Sequence, residues 1–194
     1  MTERLFHQDA YLREFHARVV STHGDEGMVE LDRTAFYATA GGQPHDTGVL
    51  DGLRVIEVID EGERILHRLA LGAQSVAALV GQQITGRIDW DRRFDHMQQH
   101  TGQHILSQAA LRVLNAETFA AHLGFGRCTM DLSVAAFTAE EAARVEDAAN
   151  AVVMESRQVR IHNVEEAEVG QLGLRRPPKK TGTIRVVEIE EFDR

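Results

Sequence analysis

Arg93-Phe94-Asp95-His96-Met97-Gln98-Gln99-His100-Thr101-Gly102-Gln103-His104-Ile105-Leu106-Ser107 sets a histidine at every fourth position, three times over. Residues four apart on an α-helix lie about 40° from alignment, so His96, His100 and His104 form one stripe. The apolar residues around them keep the same period. Phe94, Met97, Ile105, Ala109, Val113 and Leu114 recur near one side, and Asp91 is placed to cap the start. A long helix beginning near Trp90 is therefore expected.

Two neighbours of that stripe can share a metal ion, but all three cannot. A zinc–imidazole bond is about 2.0–2.1 Å, whereas eight residues of helix separate His96 from His104 by about 12 Å. The spacing leaves two pairs open, His96 with His100 and His100 with His104. A metalloprotease is excluded, because the glutamate that follows the first histidine in H-E-x-x-H is Met97 in one pair and Thr101 in the other.

Upstream of Trp90 the pattern is different. Val29 and Leu31, then Val49 and Leu50, Leu53, Val55 and Val58, then Ile65 and Leu66 come in short, often alternating runs that read as strands. Asp51-Gly52 suits a tight hairpin turn between two of them, and Glu61-Gly62-Glu63 reads as a second turn. Residues 1–88 are thus expected to form a small β-barrel or sandwich.

Downstream, a strand is expected around Cys128 to Leu132, after a Gly124-Phe125-Gly126 turn. Thr138-Ala139-Glu140-Glu141 fits a capping box, and Ala142, Val145, Ala149, Val152 and Val153 continue a second helix. Val159 and Ile161, then Thr183 to Glu190, read as strands on either side of the break at Pro177-Pro178. The class is α+β: a barrel over 1–88 and an α+β domain with antiparallel sheet and long helices over 89–194.

Thirty acidic residues against 21 basic ones give a net charge of −9, so the protein as a whole is not built to capture nucleic acid by charge. Any RNA must meet a local basic patch, and the densest is Arg175, Arg176, Lys179 and Lys180. No apolar run approaches the roughly 20 residues that span a bilayer, and Met1 to His7 lacks the apolar core of a secretory signal. With Cys128 as the single cysteine, a reducing, cytoplasmic setting is expected.

The histidine stretch is similar to the metal-binding helix of the alanyl-tRNA synthetase editing domain and its free-standing AlaX relatives. Three further segments resemble that family in the same order. Phe36-Tyr37-Ala38-Thr39-Ala40-Gly41-Gly42-Gln43-Pro44-His45-Asp46-Thr47-Gly48 resembles its glycine-rich signature, where glycines allow close backbone approach to a ligand or RNA. His122-Leu123-Gly124 with Thr129-Met130-Asp131-Leu132 is the second, and Leu174 to Pro178 running to Val186-Val187-Glu188-Ile189 is the third.

The resemblance implies a hydrolase that acts in trans on the aminoacyl ester of mischarged alanine tRNA, carrying serine or, less favoured, glycine. It makes His100 and His104 zinc ligands, with Gln103, Thr101, Thr118 and His122 as pocket residues. Gly41, Gly42 and Gln43 join the basic cluster as RNA contacts. Ala120 stands near the place where relatives often carry serine. The family completes its metal site with a Cys-x-x-x-His motif after the last strand, so the remaining ligands are expected beyond Arg194, and the 194-residue form is expected to be metal-poor. Cys128 is a weak substitute, read as a small buried residue in a strand. The rival classes are a tRNA-binding module without catalysis and a zinc hydrolase of another ester.

Overall fold

The computed structural model describes residues 1–23, 27–70, 76–124, 126–165, 167, 170 and 183–193. They divide into two compact units, Met1–Gln98 with Leu123–Arg127, and Gln99–His122 with Cys128–Arg194.

The first unit is built on a closed antiparallel barrel, which decides between the two expected β architectures. Its strands are β2 (Glu14–His23), β3 (Met28–Leu31), β5 (Gly48–Leu50), β6 (Leu53–Asp60), β7 (Ile65–Leu69) and β8 (Gln83–Ile88), closed in the order β2-β3-β7-β6-β5-β8. Closure leaves no free edge, and alternation sends one face of each strand inward. Val19, Leu31, Phe36, Leu50, Val55, Val58 and Ile65 fill that interior. Gly86 is required by crowding: a Cβ there would lie 2.3 Å from Cε1 of Phe15. Asp51 and Gly52 take φ of 44° and 86°, the paired positive values of a two-residue hairpin turn, as expected between β5 and β6. A short parallel pair, β1 (Glu3–Arg4) with β4 (Arg33–Thr34), and a one-turn helix α1 (Leu5–Gln8) carry no sequence signal and were not expected.

The long helix, α2, spans Trp90–Leu114 and contributes residues to both units. Two details differ from expectation. Because the helix starts at Trp90, Asp91 lies in its first turn, not at its cap, and the preceding residue is Asp89. Phe94 is 38% exposed and belongs to a surface stack with Trp90, with ring centroids 5.6 Å apart, not to the core.

In the second unit, β9 (Thr118–His122) and β10 (Thr129–Leu132) form an antiparallel pair, of which only β10 was expected. Cys128 stands before β10 and is exposed, its thiol donating to Oε1 of Gln99 at 3.0 Å, so it is not the buried strand residue expected. α3 (Ala139–Met154) opens on the expected capping box, Thr138 and Glu141 each bonding the other's backbone N–H. Val145, Ala149 and Val152 are its buried stripe, packed with Ile105, Ala109 and Ala110 of α2, while Val153 faces out. β11 (Val159–Glu165) pairs antiparallel with β12 (Thr183–Ile189), and Ile189 and Phe192 join the same core. Pro177, Pro178 and the basic cluster of Arg175, Arg176, Lys179 and Lys180 lie outside the described residues, as does Phe125. Among the described residues no helix is long and apolar enough to cross a membrane.

Candidate functional site

The histidine stripe is divided between the units. His96 belongs to the first, where it is 5% exposed, and its Nδ1 is buried with no hydrogen-bond partner among the described residues. Burial foremost, then the charge of Arg92, hold its pKa below the usual imidazole value, so it sits neutral.

His100 and His104 belong to the second unit, and their rings stack with centroids 5.1 Å apart and planes 19° from parallel. One helical turn produces that approach directly. His104 is also held from outside its helix: its Nδ1 lies 3.2 Å from Oδ2 of Asp193, whose side chain is 2% exposed. The turn after β12 sets this carboxylate in place. Ile189 N–H donates to the Asp193 carbonyl at 2.8 Å, Asp193 N–H donates back at 3.1 Å, and Glu191 adopts a φ of 54° to close the loop.

A carboxylate on one imidazole nitrogen fixes the ring and directs the other nitrogen to a metal, an arrangement common behind zinc-bound histidines. The two imidazoles could serve a metal ion as a donor pair. Among the described residues no group of three or more His, Cys, Asp or Glu side chains is gathered as a metal cluster. Sequence reasoning missed Asp193. It lies 89 residues from His104 with no spacing to betray it, and its one signal was a carboxylate just past the last expected strand.

Of the expected pocket residues, Gln103 and Thr118 are brought together. Gln103 Nε2 donates to Oγ of Ser107 at 2.7 Å, and Thr118 Oγ1 donates to the same oxygen at 3.0 Å. Thr118 is 6% exposed and Ser107 fully buried. Thr101 is half-buried on α2. His122 is exposed at the end of β9, opposite Thr129. Ser107 was missed as well. Its signal was a small polar residue one turn beyond Gln103, between the apolar Ile105 and Ala109.

In the first unit, Ala40 and Gln43 exchange backbone hydrogen bonds of 3.1 and 3.0 Å across Gly41 and Gly42, whose φ angles are 58° and 81°. Two successive positive φ values make a type I′ turn, so its backbone geometry requires glycine there. The Gly42 carbonyl accepts from Leu123 N–H at 2.9 Å. Both glycines are exposed, whereas Gln43 is 6% exposed, so the glycines present most of the turn's surface. Behind the turn, the buried pair of Arg93 and Asp46 anchors the start of α2. Arg93 Nε donates to both carboxylate oxygens at 3.1 and 3.0 Å, and Tyr37 N–H donates to Asp46 Oδ2 at 2.6 Å.

Residues 8–92 match the family of tRNA synthetases class II (A). The chain is 37% identical to an alanine–tRNA ligase of Pyrococcus abyssi over 99% of its own length and 22% of the ligase, so it spans about a fifth of that relative. It is 36% identical to the alanyl-tRNA editing protein AlaX-M of Methanosarcina acetivorans, over 98% of this chain and 83% of the relative. It is also 33% identical to the alanyl-tRNA editing protein Aarsd1 of Rattus norvegicus, over 97% of this chain and 49% of that protein. Coverage of 98% of this chain and 83% of AlaX-M, on a barrel followed by an α+β unit carrying the histidine pair, establishes that the chain belongs to the family of alanyl-tRNA editing proteins AlaX-M.

Proposed function

We propose that this protein is a trans-editing hydrolase of the cytoplasm that cleaves the ester of alanine tRNA charged with serine and, less readily, with glycine. The observation that carries the reading is the stacked pair of His100 and His104, with the buried carboxylate of Asp193 on His104, on the helix whose Gln103 and Ser107 hydrogen-bond each other and, through Ser107, Thr118 of β9. The names of the AlaX-M relatives support the substrate class.

His100 and His104 would hold zinc, which when bound supplies Lewis-acid polarisation of the reacting ester. Asp193 fixes the orientation of His104. Thr118 and Gln103 are assigned to reading a hydroxyl-bearing amino acid, and Thr101 and His122 to the margin of the pocket. Exposed Gly41 and Gly42, with Gln43, and the basic cluster of Arg175, Arg176, Lys179 and Lys180 are assigned to the RNA. Arginine forks and lysine charges hold phosphates and release counterions.

Such an activity is needed because a hydrophobic synthetase pocket cannot strongly reject an isostere that merely adds a hydroxyl, the relation of serine to alanine. A second site that hydrogen-bonds that hydroxyl rejects the analogue lacking it, since its own polar groups would stay unpaired.

The test is zinc content and hydrolysis of serine-charged alanine tRNA by the native-length protein and by His100→Ala/His104→Ala. The account expects about one zinc per chain, as for a single site, and turnover in the former, and loss of both in the latter with the fold retained. Undiminished zinc in the double variant would move the ligands elsewhere. A metal-loaded protein that binds the tRNA without cleaving it would favour a binding module.

A further inference from the structure

Four side chains of the first unit gather on its surface and take no part in the histidine site. Trp90 opens α2 and Phe94 follows one turn later, their rings stacked with centroids 5.6 Å apart and planes 25° from parallel. Tyr11 lies 5.6 Å from Trp90 by ring centroids, tilted by 41°, and the guanidinium of Arg13 sits over the indole at 4.1 Å. Tyr11 is 61% exposed, and Phe94 and Arg13 are exposed too. Single surface aromatics need no explanation, but two exposed rings and an arginine gathered on one indole form a patch.

The patch is in place before any partner arrives. The segment that carries Tyr11 and Arg13 is pinned by three hydrogen bonds. Tyr11 N–H donates to Oδ1 of Asp9 at 2.8 Å, Nη1 of Arg93 donates to the Ala10 carbonyl at 2.9 Å, and Ile88 N–H donates to the Arg13 carbonyl at 2.8 Å. A surface so ordered loses little freedom on binding. Its charge is mixed. Among the described residues no carboxylate pairs with Arg13, so its N–H groups are left for a partner. Asp91 and Asp95, both exposed, adjoin Trp90 and Phe94 in the chain and repel phosphates. A duplex, with phosphates outward and bases hidden, is therefore disfavoured, whereas an unpaired base meets a ring by its face.

We propose that Tyr11 and Phe94, set on Trp90, are a stacking platform for unpaired nucleotides of the tRNA, with Arg13 holding one phosphate of the same strand. This rests on the reading above that the chain acts on tRNA. It also answers the difficulty posed by a net charge of −9. Stacking gains affinity without counterion release, so single-stranded RNA can be held with no broad basic face.

Trp90 is the one tryptophan of the chain, so its fluorescence reports on the patch directly. The native-length protein is titrated at several salt concentrations with a short RNA single strand, with the same strand annealed to its complement, and with uncharged alanine tRNA. The single strand and the tRNA should quench Trp90, and the duplex should not. Tyr11→Ala and Phe94→Ala should each weaken binding of the single strand by about fivefold or more, the low end for one stacked base, and by the same factor at every salt concentration. Arg13→Ala should instead make the plot of log affinity against log salt shallower by about 0.7, the share of one single-strand phosphate. Tyr11→Phe and Phe94→Tyr, which keep a ring, should bind as wild type does, which separates stacking from damage to the fold.

Alanine variants that bind the single strand as tightly as wild type would overturn the platform, as would a duplex bound equally well. So would a Trp90 signal that follows protein concentration and ignores RNA, which would make the patch a contact between proteins. Hydrolysis of serine-charged alanine tRNA is measured on the same proteins. A wild type that stacks the strand but cleaves nothing overturns the editing reading and leaves the platform standing. A wild type that cleaves, matched in binding and cleavage by Tyr11→Ala and Phe94→Ala, overturns the platform and leaves the editing reading standing.

Discussion

His104 and Asp193 stand 89 residues apart in the chain, yet Nδ1 of the histidine and Oδ2 of the aspartate lie 3.2 Å apart. The contact ties the end of the last strand to the helix that carries the histidine pair. Carboxylates behind metal-bound imidazoles fix the ring and raise its basicity, and their loss typically lowers affinity by about 10–100-fold. Asp193→Ala is expected to weaken zinc binding by about that factor while leaving the barrel intact, measured by competition with a chelator. Unchanged affinity would show that His104 is oriented by something else.

His67 gives the barrel an acid-sensitive stability. It is fully buried, with Nε2 2.8 Å from the Thr34 hydroxyl and Nδ1 3.4 Å from the Val29 carbonyl, and burial lowers its pKa from 6.5 to about 4. Above about pH 6.5 both folded and unfolded chains hold it neutral. Between 6.5 and about 4 the unfolded chain takes up a proton that the folded one refuses, so stability falls as pH falls and levels off below about 4. The full loss is about 3 kcal/mol from the size of that shift. Urea denaturation across this window should show the slope, and His67→Gln should flatten it whatever its effect at neutral pH. An equally steep acid limb in that variant would assign the slope to other groups.

Arg93 and Asp46, with side chains 3% and 1% exposed, are expected to be sensitive to loss of either partner. Arg93 also donates to the Ala10 and Ala35 carbonyls at 2.9 and 2.5 Å, so a lysine cannot replace its fork. Arg93→Leu leaves a buried carboxylate unneutralised and should cost about 3–5 kcal/mol. Arg93→Leu/Asp46→Leu should recover part of that. Chemical denaturation gives both numbers, and a cost below about 1 kcal/mol for Arg93→Leu, the level of an exposed pair, would contradict the role assigned to the pair.

The sequence made legible those features whose cause is local. The period of four from His96 to His104, the Asp51-Gly52 turn and the capping box at Thr138 each rest on residues within a turn or two of one another, and each stands in the fold as read. Features fixed by distant partners were not legible. Strand β9 was missed because Thr118–His122 has no clean alternation, and it is defined by pairing with β10. Asp193 and the contact between Ser107 and Thr118 likewise depend on tertiary packing. Phe94 follows the apolar period of α2 but is drawn to the surface by its stack on Trp90.

The most direct measurement is hydrolysis by the zinc-loaded, native-length protein of three substrates side by side: alanine tRNA charged with serine, alanine tRNA charged with alanine, and serine tRNA charged with serine. The first contrast tests the amino-acid pocket at Thr118, the second the reading of the RNA. The account predicts fast loss of serine from alanine tRNA, slower loss of alanine by at least about tenfold for one missing hydrogen bond, and serine tRNA left largely intact. Equal hydrolysis of all three, or of none, would contradict it.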